Sequence, residues 1–105
     1  MGIDALDIAF RLEKSFRVKL SREDSDYMYG RGKPRHEQIE PTAGEIHDRL
    51  CELLKRKGVG PPADSWVRVQ TCIAEGIGRR GLFGKKLRPE DVHRESFLVK
   101  DLGCS

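Results

Sequence analysis

A chain of 105 residues suffices for one domain that buries roughly two-thirds of its unfolded surface without staples. Its 37% hydrophobic and 35% charged content is unlike a disordered tail of one charge sign, and fits a small helical domain with a narrow core. The 20 basic and 17 acidic residues nearly cancel to +3, so charge alone does not argue for nucleic acid.

Cys51, Cys72 and Cys104 are odd in number and include no C-x-x-C pair, so free thiols are expected rather than a zinc site or a disulfide framework. No apolar run approaches the length of a membrane span, and the first residues carry acids rather than a basic leader. The expectation is a cytoplasmic protein without a membrane segment.

Residues 3–16 carry Ile3, Leu6, Ile8, Ala9, Leu12 and Phe16 near one stripe, which predicts a helix, with Asp4 and Asp7 at the positive end of its dipole. "SRED" (21–24) has the N-cap-then-acid form of a short helical turn. Tyr27 to Pro41 holds two glycines and two prolines with no sustained period, and reads as a long loop whose tyrosines and Met28 are able to cap the core.

"TAGEIHDRLCELLKRKG" (42–58) predicts a second long helix, with a Thr42–Glu45 capping box, an apolar face of Ile46, Leu50, Leu53 and Leu54, and Gly58 as its stop. "VGPPAD" (59–64) is a stiff linker. A third helix over 64–78 shows Trp66, Val69, Ile73 and Ile77 at spacings of three and four, and "RPEDV" (88–92) offers another short turn. No alternating strand pattern runs long enough to compete. The fold class is therefore all-α, a small bundle of three main helices plus short ones. Ile3, Leu6, Leu12 and Phe16 are expected to face Ile46, Leu50, Leu53, Trp66, Val69, Ile73 and Ile77.

The phrases resemble the acyl carrier protein family when read in cyclic order. "RPEDVHRESFLVKDLG" (88–103) is similar to the loop leading into that family's carrier serine, and "IAEGIG" (73–78) to the end of its first helix. Ile3, Asp4, Leu6, Asp7, Ile8, Ala9, Leu12, Glu13 and Phe16 match its second helix without a gap, "VKLSRED" its exit from that helix, and "TAGEIHDRL" the start of its last one. The resemblance covers about three-quarters of the chain.

The parts stand in the order two, four, one, which implies a circularly permuted carrier fold broken at the serine motif. Residues 1–58 would hold family helices two to four, 59–64 would join the original ends, and 65–105 would hold helix one and its loop. The same order fits an excerpt spanning two tandem carriers.

The resemblance implies a protein that presents a substrate on phosphopantetheine to acyl- or peptidyl-transferring enzymes and catalyses nothing itself. Its motif serine is severed here, and Ser105 is the residue left to receive the arm from a phosphopantetheinyl transferase, with Gly103 freeing the turn before it. Without the arm the chain would be a docking partner. Asp4 and Asp7, with the added bases Arg11 and Lys14, would form the docking face, less acidic than is usual in the family.

Two alternatives stand beside this. One is an interaction module without a cofactor. The other is a basic helical nucleic-acid binder using Arg79, Arg80, Lys85, Lys86 and Arg88 around Phe83, a stretch that is no P-loop because no Ser or Thr follows Lys86. His36, His47 and His93 have no ligand spacing among them, so no metal site is expected.

Overall fold

The computed structural model describes residues 3–31, 34–78 and 86–104. Among these, four helices form in chain order: α1 (Ile3–Phe16), α2 (Arg22–Tyr29), α3 (Ala43–Arg56) and α4 (Ser65–Ile77), with 3-10 turns at Arg35–Glu37 and Pro89–Asp91. Among the described residues there is no strand, and an isolated bridge joins Thr42 to Phe97. The molecule is an all-α bundle.

The helix ends follow the capping chemistry of the sequence. Ser21 and Thr42 each close a capping box, with Asp24 and Glu45 respectively. At the other ends, Arg31 N donates to Asp26 O and Val59 N to Leu54 O, the wrap-around bonds of chains leaving through a left-handed residue, here Gly30 and Gly58. Val18 N donates to Glu13 O in the same way, but the left-handed residue is Arg17, at φ 53°.

Helix α1 does not bury the stripe expected of it. Ala5, Ile8, Leu12 and Phe16 face inward, while Ile3 is 80% and Leu6 65% exposed. At 3.6 residues per turn, positions 3, 6 and 10 share the opposite side of the helix, so the two apolar sets cannot both reach the core. The set ending in Leu12 and Phe16 wins because α4 lies against it. Arg11 meets Glu75 and Arg68 meets the Ser15 carbonyl, so the two helices run antiparallel.

The expected loop from Tyr27 also begins later, since α2 continues to Tyr29 and buries Met28 and Tyr29 in the core. Trp66 is a correction of degree: it packs against the core from its rim. The remaining expected positions, Ile46, Leu50, Leu53, Val69, Ile73 and Ile77, are buried.

Residues 86–104 complete the core with Leu87, Val92, Leu98, Leu102 and Cys104, all buried. They also satisfy the open donors of α3. The amides of Ala43 and Gly44 donate to the carbonyls of Ser96 and Arg94, both at 2.9 Å, and Glu45 N donates to Thr42 Oγ1 at 3.2 Å. A side chain at Gly44 would put its Cβ 2.9 Å from the Arg94 carbonyl oxygen, so this approach requires glycine.

Candidate functional site

The described end of the chain comes to lie at the beginning of α1. Cys104 is 4% exposed, and burial, aided by the Asp4 carboxylate, pushes its thiol up to about 11. Tyr29 closes the same corner: its hydroxyl donates to the Ala5 carbonyl at 2.8 Å. Burial, with the Cys104 sulfur beside it, lifts that hydroxyl far above the ordinary tyrosine range. Gly103, at φ 78°, makes the turn just before Cys104. Ser105, the expected attachment residue, lies outside the described residues.

A groove of about 570 Å³ lies between α1 and α2. Ala5, Leu6, Ala9, Phe10 and Leu20 give it an apolar floor, and Arg22 and Arg31 stand among its walls. Glu13, also on the wall, is engaged by the Leu20 amide at 2.8 Å.

The expected docking residues divide between two jobs. Arg11 bridges Asp7 and Glu75, each at 3.1 Å, so it ties α1 to itself and to α4. Lys14 is exposed, and Asp4 sits half-buried beside Cys104. Sequence reading missed the apolar character of this surface: Ile3, Leu6 and Phe10, the last 63% exposed, form a solvent-facing stripe. The signal was present as a second i, i+3, i+7 series on the same helix.

No protein-family model, curated protein or solved structure matches the chain.

A second cluster, also missed, joins α3, α4 and the returning loop. His47 Nε2 lies 2.8 Å from Ser65 Oγ and 3.5 Å from Cys51 Sγ, and His47 Nδ1 lies 3.4 Å from Asp48 Oδ1. These contacts look like a nucleophile–histidine–acid relay, but Arg94 changes their sense. Its Nη1 is 3.2 Å from His47 Nδ1, and its Nη2 donates to Asp48 at 2.7 Å. A guanidinium only donates, so Nδ1 is the acceptor and Nε2 carries the proton toward Ser65. An imidazole in that tautomer does not deprotonate a serine. The only sequence hint was the four-residue spacing of His47 and Cys51 on one helix.

Of the expected anion patch, Lys86 is exposed and Arg88 pairs with Glu90 at 3.9 Å, while Arg79, Arg80 and Lys85 lie outside the described residues. Among the described residues no group of three His, Cys, Asp or Glu side chains is placed to hold a metal ion, and no helix is long and apolar enough to cross a membrane.

Proposed function

We propose that this chain is an acyl-carrier-like protein whose order is a circular permutation of that bundle, acting as a carrier or docking partner for acyl- or peptidyl-transferring enzymes. The observation that supports this most is the seating of Cys104 beside Asp4, which returns the residue before Ser105 to the first turn of α1. A carrier serine belongs at such a point, because a phosphodiester there meets the positive end of a 14-residue helix.

The residues fit a phosphopantetheine arm on Ser105. The first turn of α1 would lie beside its phosphate, and the floor of Leu6, Ala9, Phe10 and Leu20 suits an apolar acyl chain. Bound, the arm would supply the thiol that forms the thioester. The protein's part is to orient and shelter that group.

A second reading, a docking module that never receives the arm, is favoured by the exposure of Ile3, Leu6 and Phe10 on one face. The intact mass of the chain after incubation with coenzyme A and a broad-specificity phosphopantetheinyl transferase separates the two. One added phosphopantetheine, absent from Ser105→Ala, is expected of the carrier. No addition leaves the docking module, and an addition that survives Ser105→Ala overturns the register.

A further inference from the structure

Three elements converge on His47. From α3 come His47, Asp48 and Cys51, from α4 Ser65 and Trp66, and from the returning loop Arg94. Besides its contacts to His47 and Asp48, the Arg94 guanidinium lies 5.2 Å over the Trp66 ring and places Nη2 3.5 Å from the Gly44 carbonyl. Arg94 is thus the side chain fastening the loop to the flank of α3. Immediately beside it, the carbonyls of Arg94 and Ser96 cap that helix.

The fastening suits only a neutral imidazole. Nδ1 accepts from Arg94 while Nε2–H donates to Ser65. A second proton must go on Nδ1, where it sets one N–H against another and a cation against a cation. Asp48 is the charged group that attracts the proton, but its Oδ1 is already taken by Arg94 at 2.7 Å. Cys51, Ser65 and Trp66, the other groups facing the ring, bring no charge to offset it.

We propose that His47 is a proton-operated latch: protonation expels Arg94 and frees the loop around residues 94–98 from the N-terminus of α3. Burial and the Arg94 charge both hold the His47 pKa below its ordinary value, against the pull of Asp48, so the latch is shut at neutral pH and opens in acid. The chain that follows this loop brings Cys104 to the first turn of α1. Opening therefore also loosens Cys104 from α1; what that does to an arm on Ser105 rests on the carrier reading, whereas the latch itself does not.

Amide hydrogen exchange followed by NMR, corrected for intrinsic rates, tests it. Between about pH 7.5 and about pH 5, protection at Ala43, Gly44 and Leu98 is expected to fall on the order of tenfold, while Ile8 and Ile73 in the core keep theirs. His47→Gln retains a donor and an acceptor but does not titrate, and should hold the protection at both pH values. Arg94→Met keeps an apolar stem over Trp66 and loses the donors, so its loop should exchange fast at both. Equal acid loss in wild type and His47→Gln, no loss in wild type, or full protection in Arg94→Met overturns the proposal. None of these readouts involves modification of Ser105, so failure of the latch and failure of the carrier reading are separately visible.

Discussion

Gly76 of α4 meets Ile8 of α1 so closely that a Cβ built on the glycine would stand 2.5 Å from Ile8 Cγ1 and 3.3 Å from its backbone. Ile8 is fully buried and has no room to withdraw. Gly76→Ala gains about 1 kcal/mol of helix propensity but overpacks the seam by about 1–3 kcal/mol, so a net loss of stability is expected. In Gly76→Ala with Ile8→Ala the added methyl occupies vacated space. Urea unfolding of the four variants of this cycle should show the double mutant losing less than the two singles combined; additive losses would mean the helices do not touch there.

Arg17 occupies a left-handed position that α2 and α3 give to Gly30 and Gly58. Such a conformation costs a side-chain-bearing residue about 1 kcal/mol or more. Arg17→Gly is therefore expected to stabilise the bundle by about 0.5–1 kcal/mol, and Arg17→Ala to leave it nearly unchanged, both read from denaturant midpoints at constant slope. A midpoint that falls in Arg17→Gly would show that the arginine side chain contributes more than its strain removes.

What the sequence made legible was whatever depends on near neighbours. Thr42 and Glu45, three apart, form the capping box their types predict, and Gly58 stops α3 as expected. Which of two apolar stripes on α1 goes inside depends on α4, some 60 residues away, so Ile3 and Leu6 were misplaced. The same holds at the site. Cys104 ends beside Asp4, a pairing of the first and last described stretches that no local pattern displays. The fastening of His47 by Arg94 joins residues 47 positions apart with no local pattern, and only the fold displays it.

Tyr29 hydrogen-bonds Ala5 in the corner where Cys104 meets the first turn of α1. Tyr29→Phe keeps the ring and removes the hydroxyl, and the loss expected for one buried neutral hydrogen bond is about 1 kcal/mol. In an alkaline spectrophotometric titration, Tyr29 should add no tyrosinate absorbance until the chain unfolds, because burial holds its proton. A signal from Tyr29 in the still-folded protein would place the hydroxyl in solvent.

The three thiols should separate by reactivity. Cys51 is partly exposed, whereas Cys72 and Cys104 are buried and burial raises the pKa of both thiols. Brief treatment with iodoacetamide at mildly alkaline pH, followed by peptide mapping, is expected to label Cys51 first and all three only after denaturation. Rapid labelling of Cys104 would show that this thiol is not seated against α1.

That seating carries the strongest prediction. If the described end and the beginning of α1 are neighbours, joining them and reopening the chain in the linker should leave the bundle intact. A chain running from Pro62 through Ser105, then a short Gly-Ser bridge, then Ile3 through Gly60 keeps all four helices and every contact of α1 with α4. Circular dichroism should give the same helix content, and Ala43 and Gly44 the same exchange protection, because the loop that caps α3 is untouched. The new chain also places Ser105 inside the sequence, ahead of α1, where a carrier serine is held on both sides. Under the transferase it should then gain phosphopantetheine at least as readily as the original order. A reordered chain that fails to fold would mean that the two ends are not neighbours in the native bundle. One that folds but stays unmodified, like its parent, would make the bundle a docking module.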